Sequence, residues 1–347
     1  MLTDRSDPIV LVLAGDDNYA CPMAVTVYSA LSNLTSEWAV DLYLIDGGIR
    51  WENKSRIEQI CSNTRPSVDL YWKSVDEALL ASLPDVTGQV VNANTYLRLF
   101  IPNLLPQQCE RAIYLDCDLI IQSSLGDLWP VPLEGKAVLA VQDFWIPYVS
   151  CDLGIEKYRE LDLPADAPYF NTGVLVINPP LWREQSIRDR VAEYLIKHEA
   201  HRNFNDQEGL NAVLGNNWNP LPLSWNVPHI VGSRKWHAKL AQMEDTPFKR
   251  SVQALMPKLR EGADIIHFAS AAKPWKSSSH YPLQHLWYTY LWNSGWLSPR
   301  EEMLSKLKFY SRYYPRSIVK RLLDSTRPQR HRLADSLPVP VARLMKR

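Results

Sequence analysis

The stretch Ala112-Ile113-Tyr114-Leu115-Asp116-Cys117-Asp118-Leu119-Ile120-Ile121 decides the fold. An apolar run rich in Ile, Tyr and Leu is typical of a strand covered on both faces, so aspartates are unexpected unless the strand ends there at a cleft. Side chains two positions apart on an extended chain point the same way, so Asp116 and Asp118 can reach one cation together. The stretch therefore predicts a buried strand that opens onto a metal site, and the alternative is a turn with solvated acids.

Strand and helix patterns alternate on both sides of this stretch. Strands are predicted at 8–14, 40–45, 68–72, 136–142, 174–178 and 264–268, and helices at 22–34, 52–61, 94–101 and 181–199. Such alternation predicts an α/β fold with a mostly parallel central sheet and helices on both faces. A sheet of this kind binds ligands beyond the carboxyl ends of its strands, where the polar loop 15–19 would lie beside Asp116 and Asp118.

The phosphate-binding glycine motifs are missing from the sequence. The chain has neither GxGxxG nor a P-loop, and only 13 glycines in total. A bound pyrophosphate would therefore need a cation to neutralise it, which again points to the two aspartates.

Length and composition describe an ordinary globular protein. The 347 residues, 46% hydrophobic and 22% charged, suit a catalytic domain at residues 1–300 and an extension at residues 301–347. The five cysteines are scattered and never spaced as CxxC, which favours reduced thiols and a cytoplasmic location. No apolar run has the length of a membrane span, and the first residues lack a secretory signal pattern.

Charge is distributed unevenly along a chain whose net charge is zero. Residues 306–347 hold 12 Lys and Arg against 2 Asp, a net of +10, which leaves −10 for residues 1–305. Aromatic and aliphatic residues are interleaved with these charges, a mixture suited to an anionic membrane surface. Nucleic acid would also attract this extension, but no recognition fold accompanies it, so no nucleic-acid partner is expected. The remaining alternative is a solvated basic terminus.

Six ordered motifs resemble one known family. They are Asp16-Asp17-Asn18-Tyr19, Tyr96-Leu97-Arg98-Leu99, Tyr114-Leu115-Asp116-Cys117-Asp118, Phe170-Asn171-Thr172-Gly173-Val174-Leu175, Asn205-Asp206-Gln207 and His267-Phe268-Ala269-Ser270-Ala271-Ala272-Lys273-Pro274-Trp275. Together they resemble glycosyltransferase family 8, retaining enzymes that include bacterial lipopolysaccharide galactosyl- and glucosyltransferases and glycogenin. The resemblance runs from about residue 9 to residue 292, and it implies a GT-A type, Rossmann-like nucleotide-diphospho-sugar transferase fold.

The resemblance implies a metal site and a diphosphate site. Asp116, Asp118 and His267 would bind Mn²⁺, or Mg²⁺, together with the diphosphate of a UDP-sugar. Lys273 would place a positive charge on the diphosphate and help UDP to leave. Ser270 stands where the family usually has glycine, so the resemblance implies either an altered backbone approach to phosphate or a hydroxyl contact in its place.

The resemblance also implies residues for uridine and sugar. The loop from Ala14 to Tyr19 would hold uridine, with Asp16 and Asn18 as hydrogen-bonding partners and Tyr19 stacked on uracil. Five further positions match residues around the donor sugar: Arg98, Asp143, Asn171, Asp206 and Gln207. Of these, Asp206 and Gln207 would lie nearest the reacting carbon. From the residues alone, Asp206 reads equally well as a first-turn acid on a helix dipole, with Asn205 as the N-cap, and His267 reads as a buried core histidine.

The expected activity is transfer of glucose or galactose from UDP-glucose or UDP-galactose to a glycan or glycolipid acceptor, at the inner face of the membrane. An amide is a poor nucleophile, so attack on the same face that UDP leaves is favoured over a covalent intermediate. Two alternatives stay open at this point. One is a haloacid-dehalogenase-like phosphatase, in which an Asp-x-Asp also follows a strand, and the other is a UDP-sugar-binding protein without turnover.

Overall fold

A computed structural model describes residues 7–35, 37–81, 83, 93–198, 204–231, 233–260, 262–276 and 282–311. The chain divides into two units, Met1–Trp296 and Leu297–Arg347. The first unit carries both sheets and all the predicted site residues.

A seven-stranded sheet forms the centre of the first unit. Its order is β3-β2-β1-β4-β7-β6-β8, and its strands are β1 (Ile9–Gly15), β2 (Ala39–Asp46), β3 (Ser67–Lys73), β4 (Ala112–Leu115), β6 (Val138–Gln142), β7 (Phe170–Ile177) and β8 (Trp218–Pro220). β1, β2, β3 and β4 pair in parallel, and β6 and β8 do so as well. β7 alone runs the opposite way, antiparallel to β4 and β6. The predicted mostly parallel α/β sheet is confirmed.

A second, three-stranded sheet has the order β5-β10-β9. It consists of β5 (Leu119–Ile121), β9 (Val227–Pro228) and β10 (Ile265–His267). The deciding stretch 112–121 therefore contributes β4 to one sheet and β5 to the other. Residues 116–118 form the crossing between the two sheets. The strand does break open at the aspartates, as its sequence predicts.

Eleven α-helices surround the sheets or follow them within the described residues. They are α1 (Ala20–Ser32), α2 (Trp51–Ser62), α3 (Glu77–Ala81), α4 (Ile101–Leu104), α5 (Pro179–Glu184), α6 (Ile187–Lys197), α7 (Asn205–Leu214), α8 (Arg234–Gln242), α9 (Pro247–Leu255), α10 (Gln284–Asn293) and α11 (Pro299–Tyr310). β4 and β5 are buried along their whole length, which is why their sequence is apolar throughout.

Helix α1 presents a polar stripe to the edge of β5. Thr26 Oγ1 lies 2.9 Å from both the Cys117 and the Leu119 carbonyl oxygens. Ser29 Oγ accepts from the Ile121 N–H at 3.0 Å. Buried backbone groups without hydrogen bonds are costly. The Thr26 and Ser29 hydroxyl groups supply hydrogen bonds to the edge of β5 that a neighbouring strand would otherwise supply.

Three local predictions differ from the structure. The predicted single helix 181–199 is two helices, because Ser186 has a left-handed backbone with φ of 48° and ends the run. Asn205 is not a cap, since it is the first residue of α7, is buried, and has a positive φ. The predicted helix 94–101 is a 3₁₀ helix, Ala93–Phe100, followed directly by α4.

Most tryptophans in the region 225–300 pack inside the protein. Trp225, Trp236, Trp287 and Trp296 are buried, and Trp287 lies against Trp275 with ring centroids 5.2 Å apart. Their large apolar surfaces therefore stabilise the fold.

The second unit begins with α11. Ser298 caps this helix, accepting from the Glu301 N–H while the Glu301 carboxylate accepts from the Ser298 N–H, a capping box. The basic extension predicted to associate with membranes lies outside the described residues beyond residue 311. Among the helices that the structure describes, none is both long and apolar enough to cross a bilayer.

Candidate active site

Three predicted metal ligands converge at the crossing between the two sheets. Asp116 follows β4, Asp118 precedes β5, and His267 ends β10. His267 Nε2 lies 3.2 Å from Asp118 Oδ1 and 3.8 Å from Asp116 Oδ2, and one ligand atom from each residue falls within 4.8 Å of the others. Pairing of His267 with Leu119 across the small sheet brings the imidazole beside the aspartates.

Lys273 completes the charge around Asp118. Its Nζ lies 2.5 Å from Asp118 Oδ2 and donates to the Phe268 carbonyl oxygen at 2.9 Å. Burial alone would raise the pKa of Asp118, but the Lys273 ammonium and His267 outweigh it and hold this pKa well below its ordinary value. The same contact raises the pKa of Lys273 although burial opposes it. Asp118 is therefore an anion and Lys273 a cation at neutral pH.

Arg98 connects Asp116 with Asp206. Its Nη2 lies 2.9 Å from Asp116 Oδ1, and its Nη1 donates to the Thr172 carbonyl oxygen at 2.9 Å. Its Nε lies 3.0 Å from Asp206 Oδ2, while the Nε–H points at the Thr95 carbonyl oxygen 3.2 Å away. The Tyr114 hydroxyl also donates to Asp116 Oδ1 at 2.7 Å. Arg98 and Tyr114 therefore both contact the same oxygen of the Asp116 carboxylate, Oδ1.

Asp206 is 5% exposed and titrates unusually. Burial raises its pKa to about 6, and Arg98 lowers the pKa less than burial raises it. Asp206 does lie in the first turn of α7, as the helix-dipole alternative expects, but its side chain is buried beside Arg98.

A second polar cluster adjoins the first. Asn171 Nδ2 donates to Asp143 Oδ2 at 2.9 Å and to Gln207 Oε1 at 3.1 Å. The Thr172 N–H also donates to Gln207 Oε1, at 3.2 Å. Asp143 Oδ1 in turn accepts from the Trp145 and Ile146 N–H groups, which secures the loop after β6. Asp143, Asn171 and Gln207 are thus in direct contact.

The reversed direction of β7 explains how its first residues reach this place. Asn171 and Thr172 stand at the start of β7, whereas Asp116 and Asp143 follow the ends of β4 and β6. Because β7 is antiparallel to both neighbours, its amino end lies at the same sheet edge as their carboxyl ends. Polar residues at a strand start therefore join a site built from strand ends.

The predicted uridine loop forms hydrogen bonds within itself and to its neighbours. Asp16 Oδ1 accepts from the Tyr19 N–H at 3.1 Å, and Asn18 Nδ2 lies 3.3 Å from Asp16 Oδ2. Asp17 fixes the loop to α2 by accepting from Arg50 and Asn53, each at 2.7 Å.

Two other predicted residues have backbone or local roles in the structure. The Ala14 carbonyl oxygen accepts from Cys117 Sγ at 3.1 Å, which ties β1 to the turn between the aspartates. The Ser270 hydroxyl donates to the Ala272 carbonyl oxygen at 2.7 Å. This contact closes the loop between His267 and Lys273 on itself.

Sequence reasoning missed Asn226. This residue is 2% exposed, and its Oδ1 lies 2.8 Å from His267 Nδ1. It precedes β9 in a segment without any of the recognised motifs. Only the fact that a polar residue interrupts the apolar pattern of residues 225–228 could have drawn attention to it.

The residues present suit a divalent cation. Neighbouring ligands of an octahedral ion with bonds of about 2.1 Å are about 3 Å apart, which is close to the spacing of Asp118 Oδ1 and His267 Nε2. Two carboxylates and one imidazole form a mixed oxygen and nitrogen set, compatible with manganese or magnesium. This side chain geometry supports a site for a divalent metal ion.

The fold matches known glycosyltransferase structures. The crystal structure of the galactosyltransferase LgtC in complex with donor and acceptor sugar analogues superposes with a TM-score of 0.66 at 22% identity, covering 82% of this chain and 95% of that one. The apo structure of the bifunctional glycosyltransferase WbbM superposes with a TM-score of 0.67 at 23% identity, covering 90% of this chain and 53% of that one. The fold is therefore the GT-A type expected from the sequence.

The family model for glycosyl transferase family 8 matches residues 10–279, and the chain belongs to this family. General stress protein A of Bacillus subtilis (strain 168) is 28% identical over 296 residues, 84% of this chain and 96% of that protein. The lipopolysaccharide 1,2-glucosyltransferase of Escherichia coli (strain K12) is 24% identical over 300 residues, 86% of this chain and 82% of that protein. Membership in this family indicates a glycosyltransferase that uses a nucleotide-sugar donor. The haloacid-dehalogenase-like phosphatase alternative is therefore wrong.

Proposed function

We propose that this protein is a retaining hexosyltransferase that moves glucose or galactose from a UDP-sugar to a glycan or glycolipid acceptor in a Mn²⁺-dependent reaction. The observation that carries the proposal is the meeting of Asp116, Asp118 and His267 beside the buried ammonium of Lys273. Once the three ligands hold a cation, that cation and the Lys273 ammonium together provide the positive charge that a diphosphate leaving group needs.

Each charged residue has a role in leaving-group departure. Asp116, Asp118 and His267 would hold the metal, which when bound neutralises charge on the diphosphate. Lys273 Nζ, already desolvated, adds a positive charge whose effect is larger than in water. Tyr19 would stack on uracil, and Asp16 and Asn18 would form hydrogen bonds with the uridine.

The sugar would lie against Asp143, Asn171, Asp206, Gln207 and Arg98. Gln207 Oε1 already accepts hydrogen bonds from Asn171 and the Thr172 N–H, which lowers its ability to attack carbon. This favours same-face attack, in which the departing phosphate oxygen receives the acceptor's proton as the acceptor oxygen bonds to C1. Gln207 would then stabilise the positive charge that develops on the sugar.

The acceptor proposal rests on the C-terminal extension and one relative. Residues 312–347 hold 10 Lys and Arg against 2 Asp, which suits attraction to anionic lipids. One relative in the family is a lipopolysaccharide 1,2-glucosyltransferase. We therefore propose a peripheral enzyme on the inner face of the membrane that extends a membrane-borne glycan.

The decisive experiment is release of UDP from a panel of UDP-sugars with and without Mn²⁺. Wild type is compared with Asp118→Asn, which keeps the shape of the side chain, and with Asp127→Asn, which changes an exposed aspartate. Metal-dependent release from one UDP-hexose, lost only in Asp118→Asn, would support the proposal and identify the donor. Binding of UDP-sugars without release, even with candidate acceptors present, would favour a binding protein, and an absence of binding would refute the proposed donor.

A further inference from the structure

We propose that Asn226 is a positioning residue that keeps a proton on Nδ1 of His267 and so leaves Nε2 to bind the cation. The inference rests on the metal role of His267 proposed above. It follows from a chain of hydrogen bonds in which each donor and acceptor is determined by its neighbour.

The chain starts at a group that can only donate. The Gly173 backbone N–H donates to Asn171 Oδ1 at 2.9 Å. At the other end of the same amide, Asn171 Nδ2 lies 2.9 Å from the Asp143 carboxylate, which accepts when ionised. Both contacts require the same orientation of the Asn171 amide, so its oxygen faces Gly173 and its nitrogen faces Asp143.

The orientation of Asn171 determines that of Asn226. The Asn226 amide group 2.9 Å from Asn171 Oδ1 must be the NH₂, because that oxygen accepts. The Asn226 oxygen therefore faces His267, 2.8 Å from Nδ1. An amide oxygen accepts only, so Nδ1 must carry a hydrogen.

The consequence for His267 is a defined ring state. With Nδ1 committed to Asn226, Nε2 is the nitrogen that faces the carboxylates, 3.2 Å from Asp118 Oδ1 and 3.8 Å from Asp116 Oδ2, and it would give up any proton when a cation binds there. A metal ligand whose second ring nitrogen donates to an oxygen is held in orientation and is a better ligand. Asn226 supplies that oxygen from a position that is 2% exposed, so water cannot readily replace it.

Gly173 also confines the ring by direct contact. A side chain carbon at Gly173 would lie 2.3 Å from His267 Cε1, so the backbone of β7 packs directly on the imidazole. The same residue, Gly173, therefore confines the ring by contact and sets its protonation through Asn171 and Asn226.

Two measurements test this inference. The first is the long-range ¹H–¹⁵N correlation spectrum of histidine-labelled protein, with His267 assigned by loss of its signals in His267→Gln. In wild type we expect a proton on Nδ1 both without metal and with saturating Mg²⁺, which is diamagnetic. In metal-free Asn226→Leu, the neutral ring should instead carry its proton on Nε2, where Asp118 accepts it. A metal-free wild-type ring with a proton on Nε2 only would overturn the inference.

The second measurement is Mn²⁺ affinity by electron paramagnetic resonance, together with thermal unfolding to establish that each variant is folded. Asn226→Leu should weaken binding on the order of 10- to 100-fold, the usual effect of losing an outer partner of a metal ligand. Asn226→Asp keeps an acceptor for Nδ1–H and should recover most of this affinity. Asn219→Leu is the matched control, because the Asn219 side chain donates to the exposed Glu134 carboxylate at 2.9 Å.

Different variants test the positioning role of Asn226 and the metal role of His267. Equal weakening in Asn226→Leu and Asn226→Asp, or wild-type affinity in Asn226→Leu, would overturn the positioning role. Wild-type affinity in His267→Gln would refute the metal role of His267 in the proposed function, while the metal-free spectra would still decide which ring nitrogen is protonated.

Discussion

Gly173 and His267 approach each other so closely that only glycine fits. A Cβ at residue 173 would lie 2.3 Å from His267 Cε1 and 2.8 Å from Nδ1, far inside normal contact. Gly173→Ala should therefore displace the imidazole by about 1 Å and lower turnover on the order of 100-fold. Steady-state UDP release and Mn²⁺ affinity measure the effect.

Gly126→Ala is the matched control for this substitution. A Cβ at Gly126 would lie 2.2 Å from Trp38 Nε1, so the new methyl group is equally crowded, again by an aromatic ring. This variant should lose stability while the folded fraction keeps its Mn²⁺ affinity. Equal losses of affinity in both variants would show that crowding acts through general destabilisation.

Asp206 should make stability depend on pH. Its pKa in the folded protein is about 6, against an ordinary value of 3.8. The folded protein therefore holds this proton more tightly than the unfolded chain, and the free energy of unfolding falls as pH rises from about 4 to about 6. Asn does not titrate, so the free energy of unfolding of Asp206→Asn, relative to that of wild type, should rise by about 2 to 3 kcal/mol between pH 4 and pH 6.

The measurement is urea unfolding of both proteins at several pH values without metal. In wild type the ion pair with Arg98 forms only as Asp206 ionises, so its contribution is already contained in the pKa of about 6 and belongs to the measured difference. A difference that stays constant between pH 4 and pH 7 would contradict the prediction.

Among single residues of the candidate site, acids within an apolar strand are easier to predict from the sequence than a buried amide. Asp116 and Asp118 are recognisable because acids interrupt a buried strand. The position of Asp206 and Gln207 comes from the family resemblance. Asn226 has neither signal, since its role depends on two partners, Asn171 and His267, that are distant in the sequence.

Helix α1 holds the turn between the two aspartates. Thr26 Oγ1 contacts the Cys117 and Leu119 carbonyl oxygens, both at 2.9 Å, and Thr26 is fully buried. Thr26→Val keeps the shape and removes this hydroxyl from both carbonyl groups, at a cost of about 1 to 3 kcal/mol in the free energy of unfolding. Because Asp118 lies between the two carbonyl groups, Mn²⁺ affinity should also fall. Chemical unfolding and metal titration measure the two effects.

Thr289→Val provides the comparison on another helix. Thr289 Oγ1 donates to the His285 carbonyl oxygen within α10, at 2.9 Å, on an exposed face. Loss of this contact should change the free energy of unfolding by less than about 0.5 kcal/mol and leave metal affinity unchanged. A comparable loss of stability in both variants would mean that the contacts of Thr26 with β5 contribute little.

Elements were predictable where their pattern is local. The parallel strands β1, β2 and β3 follow from apolar runs separated by turn residues. The reversed direction of β7 does not, because a fully buried strand has the same composition in either direction. The sequence does not predict the break at Ser186, since a serine with a left-handed backbone has no sequence signal. The buried residues Trp182 and Ile187 anchor the helices on either side of it.

For the whole molecule, the basic extension is the part to remove. Cutting after residue 311 spares α11, which ends at Tyr310, and removes 10 Lys and Arg. Each basic residue near an anionic surface is worth about 1 kcal/mol, so the truncated protein should no longer sediment with phosphatidylserine vesicles. UDP-sugar hydrolysis should persist.

A full-length variant with these ten residues changed to Gln separates charge from chain length. It should also lose binding to anionic vesicles, and wild-type binding should weaken as salt increases. Undiminished vesicle binding by the truncated protein would refute a membrane role for the extension.

The two-sheet construction has a consequence for the order of folding during synthesis. All seven strands of the large sheet are present once residue 220 has emerged, whereas β9 and β10 follow later. Asp118 and Lys273 are 155 residues apart in the chain, and pairing over such a distance is slow. We expect a nascent chain to complete the large sheet first and to acquire its cation only when β10 pairs with β5. A divalent cation at the proposed site would then influence the last folding step and leave the earlier ones unaffected.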